Sequence, residues 1–437
     1  MKTILVTGGA GFMASNFVRY ILNKYQDYHV LVLDALTYAG NMDNIPDDPR
    51  LEFWYGNVRN AELVSTLVAR SDIVIHFAAE THVTRSIFDN LVFFETDVLG
   101  THSIANAVLK SSSVERLIHI STSEVYGTAV KDVMDEEHPL MPMSPYASAK
   151  VGADRLIYSY RITYDIPTVI IRPFNNYGPR QHLEKVVPRF ITSCLLDESL
   201  TVHGDGSARR DWLFVEDLCR ALDATMHAGN EINGQVINIG TGRDIDIKTI
   251  AEIIVDKMDK PRSLITYIGD RLGQVFRHTS STNKAKKVLG WRAETSFEDG
   301  LDKTICKDLG GVAVSFRLAD LPTSIFYILD TLLASFLLRP FELGLYMTAR
   351  LLVNFSSQIT VAINRIGLIR LGNMIGAEKN QEEIATFLSH QFVRVYLCIL
   401  LVSVAVFEPA YRWSLPVFLP AYTDTLQALP YMMLLIL

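Results

Sequence analysis

Several runs of continuous Val, Ile and Leu, each followed by an amphipathic stretch, constrain this chain more than any other feature. They are "TILVTGG" before 14–24, "HVLVLDA", "SDIVIHFAA" before 97–109, "RLIHIST" before 147–164, and "PTVIIRPFN". A strand that is apolar at every position must be covered on both faces. That is the condition of a strand in a parallel sheet wound through βαβ units. The expected fold is therefore α/β, with a Rossmann-type doubly wound parallel sheet. After Asn175 the alternation loosens, as a smaller substrate-covering region would.

The first strand runs directly into "GGAGFMAS". Gly8 and Gly11 permit a tight turn and bring backbone N–H groups close to a pyrophosphate at a helix start, and the small Ala14 lets helix pack on strand. The second strand ends on Asp34, whose carboxylate suits two ribose hydroxyls and repels a 2′-phosphate, favouring NAD over NADP. An incidental glycine turn is the alternative.

Two further features carry chemistry. In "SPYASAK", Tyr146 and Lys150 lie four apart on one helix face, where an ammonium would lower the phenol pKa and make a usable base; the spacing alone favours a plain helix-surface pair, and the dinucleotide pattern with "STSE" tips it toward chemistry. In "ISTSEVYG", hydroxyls and a carboxylate follow a buried strand, at the strand end where open parallel sheets bind ligands. If the chain stays extended there, Thr122 and Glu124 share one side and Ser123 the other. Capping of the next turn is a competing reading for Ser121 and Ser123, and a weaker one for Thr122 and Glu124.

The rest of the chain differs. Residues 306–437 carry nine positive and nine negative side chains, so the net charge of −7 belongs to the first 305 residues. That charge leaves no basic excess for nucleic acid. The apolar blocks 321–338, 351–364, 395–407 and the closing "LQALPYMMLLIL" are flanked by charges, and none is a clean span of about 18 residues. A membrane-associated all-α segment is the favoured expectation and a buried helical domain the alternative. Cys194, Cys219, Cys306 and Cys398 lack metal-ligand or disulfide spacing, and no signal peptide opens the chain. Together these point to a catalytic part in a reducing cytoplasm, without metal, on a chain attached to the inner membrane by its C-terminal segment.

Residues 1 to about 305 resemble the extended short-chain dehydrogenase/reductase family of nucleotide-sugar enzymes, most closely the NAD-dependent 4,6-dehydratases of the dTDP-glucose 4,6-dehydratase type. The resemblance rests on "TGGAGFMAS", "LDALTYAGNMDNI", "HFAAETHVTRSI", "STSEVYG", "SPYASAK", "RPFNNYGPRQ" and "HGDGSARRDWLFVEDLCRAL". It implies mainly an NAD-binding domain over 1–174 and mainly a nucleotide-sugar region over 175–305. The implied NAD contacts are Gly8, Gly11, Phe12, Met13, Asp34, Asn57, Val58, Ala78, Ala79, Tyr146 and Lys150. The implied reaction is redox-neutral: Tyr146, held by Lys150 and Thr122, takes the C4 hydroxyl proton, and Glu124 takes the C5 proton before water leaves C6. Asn175, Arg210 and Arg277 match diphosphate-holding positions, and Arg85 a stretch near the sugar.

This sequence departs from the pattern in places. Ser123 stands where the dTDP-glucose enzymes carry their acid Asp, and a hydroxyl is too weak an acid to replace it; Glu124 is left for both proton transfers. The Thr-Ser-Glu triplet also occurs in UDP-glucuronate decarboxylases, so decarboxylation is the runner-up, with 4-epimerisation. Asn57 replaces a usual Asp, Asp97 a usual Asn and Ala14 a usual Gly. Residues 306–437 resemble an internal piece of a polysaccharide flippase, which makes a fusion expected and an inactive enzyme remnant on a membrane tether the rival. The family further implies a dTDP-, UDP- or GDP-hexose substrate and a homodimer.

Overall fold

The computed structural model describes residues 2–270 and 273–305. In chain order the strands are β1 Lys2–Thr7, β2 Tyr28–Asp34, β3 Leu51–Tyr55, β4 Ile73–His76, β5 Arg116–Ile120, β6 Thr168–Pro173, β7 Asn175–Tyr177, β8 Leu200–His203, β9 Arg209–Phe214, β10 Val236–Ile239, β11 Asp244–Asp246 and β12 Ile265–Ile268. Seven form one parallel sheet in the order β3-β2-β1-β4-β5-β6-β10. Strand order reverses at β1, so the ends of β1 and β4 diverge and open a crevice at their carboxyl edge.

The period of two along each strand sorts side chains between two cores. Ile4, Val6, Val30, Val32, Ile73 and Ile75 pack under helices Phe12–Lys24 and Val215–His227. Leu5, Leu31, Leu33 and Val74 pack under helices Ala61–Ala69, Gly100–Lys110 and Pro145–Tyr164. Every residue of β4, β5 and β6 is buried, which explains their unbroken apolar runs. The charged exceptions are paired. Arg172 on β6 meets Asp154 through two 2.9 Å bonds, and Arg116 on β5 donates to the carbonyls of Thr225, Ala228 and Gly229 at the end of helix Val215–His227.

The second region holds a three-stranded sheet, β11-β9-β7, and a two-stranded one, β12-β8, around a core of Tyr177, Phe190, Trp212, Phe214 and Phe297. The chain also returns to the first region: β10 completes the main sheet, and Asp223 of helix Val215–His227 accepts from Tyr20, Lys24 and Tyr25. One expected element begins earlier than its periodicity suggests. The helix expected over 97–109 is the end of a run from Leu91 to Lys110, whose Phe94–Leu99 part is π-helical and turns Asp97 inward, where it is buried.

The expected helical membrane segment and flippase-like piece, residues 306–437, lie outside the described residues, as do Cys306 and Cys398. Among the described residues no helix is long and apolar enough to cross a membrane, and Cys194 and Cys219 are buried free thiols.

Candidate active site

A cleft of about 680 Å³ opens at the carboxyl edge of the main sheet. Its floor starts at the β1 turn. Gly8 has φ +71°, and a Cβ there would stand 2.8 Å from the N and Cα of Ala78. Only glycine allows the β1 and β4 exits to approach so closely. Gly11 caps helix Phe12–Lys24 without a side chain, leaving its first N–H groups facing the cleft, and Ala14 is buried beneath.

Asp34 ends β2 with its carboxylate tied by the N–H of Ala10 at 2.8 Å and of Leu36 at 2.7 Å. Burial raises its pKa, and those two N–H bonds pull the other way. Phe12, Met13, Asn57, Val58, Ala78 and Ala79 also line the cleft; Asn57 additionally accepts from the N–H of Arg59 at 2.9 Å. The glycine cradle, the open helix start and an acceptor-only carboxylate suit a dinucleotide with a free ribose diol.

Thr122, Ser123, Glu124 and Tyr146 line the same cleft. The chain does not stay extended past β5. Ser123–Tyr126 form a 3₁₀ turn capped by Thr122, whose Oγ1 accepts from the N–H of Glu124 at 3.2 Å, and Gly127 closes it at φ +69°. The alternating-side expectation therefore fails, and the capping reading set aside for Thr122 is what the hydroxyl does. Tightening into the turn instead brings Ser123 and Glu124 to the cleft together. Ser121 Oγ donates to Asp154 at 2.7 Å, a bond within the buried ion-pair network.

Ser144 caps helix Pro145–Tyr164 and places Tyr146 and Lys150 on its buried face. Lys150 does not line the cleft; its Nζ donates to the carbonyl of Ile120 at 2.7 Å. Burial pushes the Lys150 ammonium down, opposed by the carboxylates of Asp97 and Asp154. Burial raises the Tyr146 phenol, and so do the charges of Asp97 and Glu124, against a hydrogen bond from Thr122. The expected lowering by Lys150 is not found: burial and the carboxylates of Asp97 and Glu124 set the direction, and Thr122 supplies the opposing contact. Asp97 is raised by burial against the pull of Lys150.

On the opposite wall, β9 alternates. Ala208, Arg210 and Trp212 line the cleft, while Asp211 points away and accepts from Thr241, Gly242 and Ser280. Asn175, paired in register with Trp212, lines it too. The remaining two arginines do not. Arg277 is held by Asp244 at 2.7 Å, and Arg85 lies 3.7 Å from Glu80 with its guanidinium 5.8 Å from the Tyr38 ring. Glu80 and Tyr38 do reach the cleft, so Arg85 borders it through them.

Sequence reasoning missed Tyr38, Glu80, Glu184, Lys185 and Trp212. Tyr38 donates to Glu184 at 3.1 Å, and Lys185 donates to the carbonyl of Thr81 at 2.9 Å. Two signals were present: Glu80 follows β4 much as Glu124 follows β5, and Trp212 lies two residues after Arg210 on a strand. Nothing local in the sequence marks Tyr38 or Glu184.

The sequence matches the GDP-mannose 4,6 dehydratase family over residues 5–304. It is 45% identical over 310 residues to the low-salt glycan biosynthesis protein Agl12 of Haloferax volcanii, covering 70% of this chain and 98% of that protein. It is 39% identical to a dTDP-glucose 4,6-dehydratase of Actinoplanes sp., covering 69% and 96%. The crystal structure of DesIV, a dTDP-glucose 4,6-dehydratase from Streptomyces venezuelae solved with NAD, superposes with a TM-score of 0.67 at 39% identity, covering 69% of this chain and 95% of that one. Sheet order, glycine cradle and sequence agree, and the chain belongs to the GDP-mannose 4,6-dehydratase family of short-chain dehydrogenases/reductases.

Proposed function

We propose that this chain, with NAD held in the cleft, dehydrates a nucleoside-diphosphate hexose to its 4-keto-6-deoxy derivative. The observation that carries this is convergence: the Gly8–Asp34 cradle and the Thr122, Glu124 and Tyr146 side chains share one cleft at the carboxyl ends of β1, β2 and β5. Gly8, Gly11, Phe12 and Met13 seat the pyrophosphate half, and Asp34 takes the ribose hydroxyls and excludes a 2′-phosphate. When bound, NAD supplies the hydride acceptor for C4 and the hydride donor for C6.

The chain's own residues move the protons. Tyr146, oriented by Thr122, takes the C4 hydroxyl proton as a phenolate, a form that burial, Asp97 and Glu124 by themselves disfavour and that the buried ammonium of Lys150, together with the positive charge of bound NAD, would favour. Once C4 is a ketone the C5 proton is acidic, and Glu124 removes it; among the described residues its carboxylate has no hydrogen-bonded or ion-paired partner to compete. Glu124 then gives that proton to the C6 oxygen, and water leaves as the C6–O bond breaks. Asn175 and Arg210 hold the diphosphate from the β7–β9 wall. Arg277 is engaged by Asp244 and is given no such role. On this reading residues 1–174 mainly hold NAD and 175–305 mainly the nucleotide sugar.

The full chain, incubated with dTDP-, UDP- and GDP-hexoses, is expected to convert at least one to a 4-keto sugar without net change in NAD; the names of the relatives make dTDP-glucose the first to try. No turnover on any of them refutes the reading, and carbon dioxide from UDP-glucuronate would assign decarboxylation instead.

Two further features of the reading concern assembly. Phe88, Leu91 and Leu99, and on helix Pro145–Tyr164 the residues Tyr158 and Ile162, are exposed apolar side chains on adjoining elements. They support a homodimer through these helices, and a monomeric mass by light scattering would refute it. The apolar blocks of residues 306–437 support membrane attachment, for which detergent-free partition of the full chain is the test.

A further inference from the structure

Ser123 and Glu124 reach the cleft from one turn, yet only Ser123 has a buried partner behind it. Ser123 Oγ lies 3.3 Å from Nδ1 of His278, whose Nε2 lies 2.8 Å from the carbonyl oxygen of Gly127. Ser123 is 2% exposed and His278 fully buried. The backbone that carries the ring is fixed on both sides: the main-chain N–H of His278 donates to the Arg209 carbonyl at 3.1 Å, the Arg277 carbonyl accepts from the N–H of Ala129 at 3.1 Å, and the ring meets Phe174 edge-on.

The direction of these hydrogen bonds follows from elementary chemistry. A carbonyl oxygen only accepts, so Nε2 of His278 carries the hydrogen. Burial pushes the ring down to about 4, with Glu124 opposing and Arg210 and His138 adding, so the ring is neutral. A neutral imidazole with hydrogen on Nε2 has a bare Nδ1, which must accept from the Ser123 hydroxyl. Ser123 has one proton and it is committed; toward the cleft its oxygen offers lone pairs alone.

We propose that His278 fixes Ser123 as a hydrogen-bond acceptor for the hydroxyl that departs from the sugar, so that Ser123 binds the nascent water while Glu124 alone supplies its proton. This rests on the dehydratase reading. As Glu124 protonates the C6 oxygen and the C6–O bond breaks, the remaining O–H of that oxygen becomes a stronger donor. An acceptor beside it therefore binds the transition state more tightly than the ground state. Ser123 is in this sense a catalytic residue, and His278 a positioning residue that acts through it.

The test uses the full chain and the nucleotide hexose it converts. Single-turnover kinetics separate nicotinamide reduction from water loss. Ser123→Ala is expected to slow water loss about tenfold to a hundredfold while nicotinamide reduction changes by less than about threefold. His278→Phe should do the same, and the Ser123→Ala/His278→Phe double variant should be no slower than Ser123→Ala, because one contact is being lost twice. His278→Gln, whose amide can donate to Gly127 and accept from Ser123, should recover most of the loss. The melting temperature of each variant is followed alongside, so that Ser123→Ala and His278→Gln carry the test if His278→Phe fails to fold.

Additive effects, or unaltered water loss in Ser123→Ala, overturn the proposal. So does an alkaline limb of the wild-type rate that disappears in His278→Gln, since it would make His278 a proton donor. Nitrogen-15 NMR of His278 reads the tautomer without any turnover: hydrogen on Nε2 is expected, and hydrogen on Nδ1 overturns the inference. A wild-type chain that turns over no nucleotide hexose, with hydrogen found on Nε2, would reject the dehydratase reading and the role built on it while leaving the assigned hydrogen-bond direction standing.

Discussion

Gly8→Ala probes the closest backbone approach in the cofactor cradle, and Gly290→Ala supplies its control. Both glycines have left-handed backbones, φ +71° and φ +63°. A side chain there costs about 1–2 kcal/mol in either case. At Gly290 that is the whole cost, because nothing lies within 4 Å of the added Cβ. At Gly8 the Cβ stands 2.8 Å from two backbone atoms of Ala78, which cannot rotate aside. Overpacking of this kind adds about 1–3 kcal/mol, relieved only by moving the β1 turn away from the β4 exit. The same turn carries the N–H groups proposed to seat the pyrophosphate, so on that reading relief reappears as lost affinity. A further 1–3 kcal/mol, roughly, is about a tenfold to hundredfold weaker NAD complex. NAD titration by calorimetry and thermal melting, run on both variants, separate the two terms. Gly290→Ala should lower the melting temperature by a few degrees, about 2–4 °C per kcal/mol, with NAD affinity unchanged. Gly8→Ala should lose both. NAD binding by Gly8→Ala within about threefold of wild type would show that the close approach does not position the cofactor.

Other outcomes follow from the same geometry. Glu124→Gln keeps size and removes the base, so product formation should fall by about 10²–10⁴ while substrate still reduces bound NAD; retained dehydration refutes the assignment. Asp34→Asn keeps an acceptor for Ala10 or Leu36 but loses the charge that repels a 2′-phosphate, so the preference for NAD over NADP should drop about tenfold, read from the two dissociation constants. Asp154→Asn breaks the buried pair with Arg172 and should cost about 3–5 kcal/mol by urea unfolding at pH 7. Burial raises the Asp154 carboxyl, but Arg172, Arg155 and Ser121 more than offset it, so the folded group titrates below its ordinary range. Its contribution is complete above the unfolded value of about 3.9 and is lost as pH falls further. The gap between wild type and Asp154→Asn should therefore narrow below about pH 4, and a constant gap would refute the charge argument.

The sheet and the cofactor half of the site were legible because each depends on residues close in sequence. Unbroken apolar runs mean burial on both faces, and a glycine after the first strand with an acid at the end of the second is a local pattern. The 3₁₀ turn after β5 was not legible, since Thr122 is as compatible with an extended strand end as with a cap; Gly127 closing the turn was the overlooked cue. Arg277, a diphosphate ligand by the resemblance, lies outside the cleft lining with its Nε on Asp244, 33 residues earlier, a pairing no local pattern announces. The raised Tyr146 phenol likewise needed the fold, because Asp97 and Glu124 reach it from other elements.

The alternation along β9 has a mechanical consequence. Arg210 and Trp212 face the cleft, but Asp211 between them anchors two segments behind, the turn at Thr241 and Gly242 and the chain at Ser280. A residue in an extended strand cannot swivel without turning its neighbours, so this wall behaves as an anvil. Its ordering entropy is spent during folding, before any sugar arrives, and adjustment to ligands of different shape falls to the jaw opposite, where Tyr38, Thr81 and Glu184 are joined by side-chain bonds between loops.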